Sequence, residues 1–80
     1  MKVFILDSKN NRESINIMES DSVAELKNQI KIKQKIQDEI ELLYNGIILN
    51  DNDYLVDLDI TEGTTINYLG IFKAGLNKLK

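Results

Sequence analysis

Eighty residues with a formal net charge of −3 can build one hydrophobic core but cannot divide into two stable halves. Hydrophobic residues at 42% and charged residues at 29% are globular proportions, and the mild acidity argues against general nucleic-acid or membrane-surface binding, which needs clustered positive charge. Cysteine and histidine are both absent, which excludes a disulfide, a zinc–thiolate site, a thiol nucleophile and the usual general base near neutral pH.

Residues 1–7, Met-Lys-Val-Phe-Ile-Leu-Asp, are dense enough in β-branched and aromatic side chains to predict a strand, with Val3 and Ile5 on one face and Phe4 and Leu6 on the other. Ser8 to Asn11 is turn material, and Asn10 and Asn11 tolerate left-handed backbone angles. The alternation over Arg12 to Met18 predicts a second strand, closing a hairpin, with Ile15 and Ile17 against Ser14, Asn16 and Met18. Ser22-Val23-Ala24-Glu25 fits a capping box, so a helix should begin at Val23 and run for about three turns. Val23, Leu26 and Ile30 form its apolar stripe, while Glu25, Lys27, Asn28, Lys31 and Lys35 occupy the rest of its surface. Ile40 to Tyr44 is a third strand, Asn45-Gly46 a tight turn, and Ile47-Ile48-Leu49 the short strand returning from it. Asp51 to Asp59 reads as an acidic connection punctuated by Leu55 and Leu58. After a turn at Gly63, Thr65 to Leu69 is the last strand. The tail, residues 73–80, is basic and is expected to be flexible or a linker.

This order predicts an α+β fold, a mixed sheet of four to five strands packed on one amphipathic helix. It also resembles the ubiquitin family, whose fold is the β-grasp. Met1, Phe4, Glu19-Ser20-Asp21, Lys27, Ile30, Ile36, Leu49, Asp51, Leu55, Asp57, Ile60 and Thr65 stand in register with that family's pattern. One residue is lost between Ile36 and Gly46, where the family carries a pair of prolines. The resemblance implies a ubiquitin-like domain over residues 1–72. It also locates the departures. In place of a terminal Gly-Gly the chain has Ala74-Gly75 followed by Leu76-Asn77-Lys78-Leu79-Lys80, and Ile47 and Glu62 hold the positions of the family's two principal chain-forming lysines. A non-conjugatable member is therefore expected.

The most informative residue is an apolar one on the outer face. If Ile40, Leu42 and Tyr44 point into the core, Leu43 points away from it beside Glu41. In the last strand Ile66 and Tyr68 should face inward, and Asn67 and Leu69 outward. Leu43, Gly46, Ile47 and Leu69 match the position of the family's hydrophobic recognition patch, with Ser8 and Asn67 replacing a leucine and a histidine there. Isolated exposed apolar residues are ordinary, but several gathered at one spot mark a binding surface.

Other constellations read more plainly. Asp51, Asp53, Asp57 and Asp59 alternate as calcium ligands can, yet Leu55 and Val56 stand where an EF-hand loop needs an acidic residue and a glycine, so no metal site is assigned. Asp51 and Asp57 are expected to cap turns, as their family counterparts do. The pairs Asp38/Glu39 and Glu39/Glu41 come with no pocket to separate their pKa values, and no serine has a histidine to activate it, so the chain is read as not an enzyme, with no cofactor. Lys31, Lys33 and Lys35 complement the dipole at the helix end rather than forming a nucleic-acid patch.

The expected function is thus protein interaction. The Leu43 patch would bind ubiquitin receptors, proteasome subunits or ubiquitin-binding domains, with the chain monomeric and forming an adaptor or part of one. A first alternative is the precursor of a covalent modifier processed after Gly75, since Ala74-Gly75 lies at the register of the family's terminal pair. A second is an RNA-contacting domain of the spliceosomal type, suggested by Tyr44-Asn45-Gly46-Ile47 and the basic end, though net acidity and few aromatics count against base stacking. No segment approaches the roughly 20 apolar residues of a membrane span, the opening residues lack a signal-peptide stretch, and the missing cysteines suit a reducing compartment. A cytoplasmic or nuclear location without a membrane partner is expected.

Overall fold

A computed structural model describes residues 1–71. Its elements are β1 (Lys2–Leu6), β2 (Arg12–Asn16), α1 (Val23–Gln34), β3 (Glu39–Tyr44), β4 (Ile47–Ile48), a single 3-10 turn (Leu55–Leu58) and β5 (Thr65–Ile71). The five strands form one mixed sheet in the order β2-β1-β5-β3-β4, packed on α1. This is the predicted α+β architecture, a ubiquitin-like β-grasp.

The first hairpin closes through its side chains. Asp7 Oδ1 accepts backbone N–H bonds from Lys9 (2.8 Å) and Asn11 (2.9 Å), and Asn10 supplies the left-handed residue at φ 67°. Val3 pairs with Ile15 across the hairpin, and both are buried. Beyond β2 the pairing continues as the Met1 ammonium donates to the Ile17 carbonyl at 2.7 Å and the Ile17 N–H to the Met1 carbonyl.

Ser22 starts α1 as expected, its Oγ accepting the Glu25 N–H at 3.2 Å. The capping box is only half formed, because the Glu25 carboxylate accepts from Gln29 Nε2 one turn on, an i,i+4 pairing in place of the return bond. Val23, Leu26 and Ile30 are fully buried, so the predicted stripe is the face that meets the sheet. The helix ends at Lys35, which takes a left-handed conformation (φ 56°) while the N–H groups of Lys35 and Ile36 close onto Ile32 and Lys31. Lys33 does more than complement the helix dipole: its Nζ donates to the Ser14 carbonyl on the free edge of β2.

Asn45 (φ 53°) and Gly46 (φ 77°) are both left-handed, as a two-residue hairpin turn of the primed type requires. The segment read as a plain acidic connection is more ordered than that, since Leu55 is fully buried and anchors the 3-10 turn. Asp51 does not cap a turn there. It binds Lys27, and the Asn50 side chain accepts the Asn52 N–H instead. The last strand runs two residues past its expected end because β3 begins one residue early, letting Glu39 pair with Ile71.

Candidate functional site

Val3, Ile5, Ile40, Leu42 and Ile66 fill the inner face of the sheet with essentially no exposure. By strand alternation Phe4, Leu6, Leu43, Asn67 and Leu69 stand on the outer face. The register places four of the outer positions in one row: Leu6 pairs with Asn67, Asn67 with Leu43, and Leu43 with Ile48. Leu69 pairs with Glu41, one pleat further along.

Most of the residues singled out in the sequence meet here. Leu43 is half-buried at the centre of the row, Asn67 is exposed beside it, and Leu69 is 43% exposed. Ser8 is exposed on the hairpin above and lines, with Leu6, Leu43, Asn67 and Leu69, a shallow hollow of about 240 Å³. Gly46 is exposed at the tip of the β3–β4 turn. Ile47, 65% exposed, pairs with Tyr44 and so falls on the opposite side of the strand from Leu43. The neighbour that stands directly beside Leu43 is Ile48, 59% exposed, which the sequence reading missed together with Leu6. A two-residue turn makes Tyr44 and Ile47 partners, and that alone dictates Leu43 with Ile48, so the signal was present. Ala74 and Gly75, the possible processing site, lie outside the described residues, as does the basic tail.

The surroundings of the row are held by polar contacts. The Arg12 guanidinium lies over the Phe4 ring at 4.0 Å from its centroid, which covers the ring's outer face. At the β3 end, Lys27 Nζ bridges Glu41 Oε1 (2.9 Å) and Asp51 Oδ1 (2.5 Å). Burial alone would lower the Lys27 pKa, but the hydrogen bonds from Lys27 to Asp51 and Glu41 outweigh it and raise the value above 10.5. Hydrogen bonds from the Asn11 backbone and side chain lower the Asp7 pKa below 3.8, keeping a fixed anion at the hairpin. Tyr68, packed against the core, has its phenol pKa raised by burial and by the nearby Asp7 and Glu13 charges.

Chemically this is a contact surface. It offers apolar area, an amide at Asn67 and a hydroxyl at Ser8, with fixed charge at its margins. Tyr44 packs against the core, the side of β3 expected of it. Among the described residues no three acidic side chains gather into a metal-holding group. The model of the ubiquitin family matches residues 3–71, from the second residue of β1 to the end of β5. No curated protein is matched significantly by the chain.

Proposed function

The chain belongs to the ubiquitin family, and on that footing we propose that it acts as a protein-interaction domain whose ligands dock on the outer sheet face around Leu43. Domains of this family generally do no catalysis. The observation that carries the reading is the row Leu6–Asn67–Leu43–Ile48 with Leu69 alongside, a largely apolar strip on the sheet face opposite α1, with no other α-helix among the described residues. A monomeric soluble protein seldom gathers exposed apolar side chains this way without a partner to cover them. The partners would be ubiquitin receptors, proteasome subunits or ubiquitin-binding helices, met in the cytoplasm or nucleus. The residues at the family's conjugation end, Ala74-Gly75 and the five that follow, favour a domain that is bound rather than attached.

A patch this small supports weak and reversible binding, because stable interfaces bury about 800 Å² per partner. Titration with a ubiquitin-associated domain, read by amide NMR, tests the proposal. Shifts should concentrate at residues 6–8, 43–48 and 67–70. Shifts scattered over the helix face, or none at saturating partner, would overturn it.

A further inference from the structure

Beside the Leu43 row, lined in part by Tyr68, Leu69 and Gly70 of β5, lies a second hollow of about 330 Å³. Ile36, Tyr68 and Leu69 give it apolar walls, and Asp7 and Asp38 stand among its lining residues. Each part suits a different stretch of one kind of side chain. A lysine or arginine carries an aliphatic stem that packs on apolar surface and a charged head that seeks water or an anion. The hollow offers walls for the stem and two carboxylates for the head. Asp7 is an anion held in place: the Lys9 and Asn11 backbone N–H groups and the Asn11 side-chain amide all donate to its carboxylate, and they lower its pKa. The Tyr68 phenol, its pKa raised by burial and then by the Asp7 and Glu13 charges, is neutral at ordinary pH, so its ring is an uncharged wall for a cation.

The margin nearby has the same sign. Glu39 is exposed on β3, and Glu41 and Asp51 share the single ammonium of Lys27, leaving that group of three with one net negative charge. Among the described residues, cations on the adjoining elements include Lys9 on the hairpin, whose charge reaches Asp7 and helps lower its pKa, Arg12 laid over Phe4, and Lys35 next to Ile36. None of these three is a lining residue of the hollow.

From this complementarity we propose that the surface is selective for a cationic partner: a helical segment that sets an apolar residue on Leu43 and Ile48 and places a lysine or arginine in the Asp7–Asp38 hollow. The inference rests on the docking face proposed above and assigns its partner's charge. An acidic segment of the same shape is disfavoured, because its carboxylate would enter between two like charges.

Two synthetic amphipathic helical peptides test this on the full chain. They share a leucine anchor and differ only in carrying lysine or glutamate one turn away. The lysine peptide should shift the amides of residues 36–38 and 68–70 as well as those around Leu43, and should bind about fivefold more tightly than the glutamate peptide, the range of a partly exposed ion pair. That margin should shrink in high salt and in Asp38→Asn, a change at an exposed position outside the Asp7 turn. Equal binding of the two peptides, or a margin unmoved in Asp38→Asn, overturns the cationic preference. Leu43→Ala reports separately on the docking face, since it should weaken both peptides alike. Charge selectivity that survives a silent Leu43→Ala would keep the hollow and sink the patch, and loss of binding by both peptides to the unmodified chain would sink both.

Discussion

Leu42 and Leu43 are consecutive residues of β3 whose side chains meet opposite environments, Leu42 fully buried under α1 and Leu43 half-exposed between Asn67 and Ile48. Leu42→Ala should cost about 2 to 5 kcal/mol through lost burial and a cavity. Leu43→Ala should cost about 1 kcal/mol or less while removing most partner affinity. Thermal melts of the two variants with one partner titration check both halves.

Ile48 is the residue that distinguishes this surface from one built on Leu43 alone. Ile48→Asp should leave the melting temperature nearly unchanged, within about 0.5 kcal/mol, because the position is exposed. It should nonetheless abolish binding at the Leu43 face. Ile47→Asp, on the other side of the strand, should bind almost normally, so the pair of variants reads out the hairpin register directly.

Lys27 joins helix, sheet and loop through Glu41 and Asp51. Lys27→Met should destabilise the fold by roughly 1 to 2 kcal/mol, since two carboxylates lose a shared partner. Its pKa is raised on folding, so its contribution is whole below 10.5 and is lost as pH rises through the higher folded value. Stability of the unmodified chain should therefore fall in strong alkali more steeply than that of Lys27→Met.

Asp7 behaves in the opposite sense. Its pKa is lowered, so what it adds is complete above 3.8 and disappears as pH falls through the lower folded value. Asp7→Asn should flatten the acid limb of the stability profile, and a carboxyl-carbon NMR titration should find the Asp7 midpoint under that of a free aspartate.

Lys35 holds a left-handed backbone at the end of α1, where glycine is at ease and a side chain is strained. Lys35→Gly should accordingly stabilise the domain, by about 0.5 to 1 kcal/mol. Gly46→Ala, at φ 77° in the β3–β4 turn, should do the reverse. Denaturant midpoints compare them.

The fold was legible because strong local signals lie at the points where the chain changes direction. Ser22 with its apolar stripe defined α1, and Asn45-Gly46 defined the second hairpin, and both rest on bonds within a few residues. The 3-10 turn at Leu55 was not legible, because it is held by distant groups: the Leu55 and Val56 N–H groups donate to the carbonyls of Asp21 and Glu19. The extra length of β5 escaped for the same reason, depending on Glu39 across the sheet. Of the candidate site, alternation supplied Leu43, Asn67 and Leu69. Ile48 was implied by the two-residue turn, whereas bringing Leu6 beside Leu43 needed β5 paired between their strands, and the acidic hollow needed Ile36 and Tyr68 brought together from separate elements.

The sheet order carries a consequence for how the chain reaches this state. β5, the last of the described strands, is the middle one, and the described pairing of β1 with the β3–β4 hairpin runs entirely through it. Until Thr65 to Ile71 have arrived, the chain amounts to two hairpins and a helix with nothing to join them into a sheet. Contacts that span most of the sequence make folding slow relative to helical domains of this size. On a ribosome the domain must wait for its final strand to clear the exit, and a chain cut just before Thr65 should fail to fold at all rather than fold slightly less well.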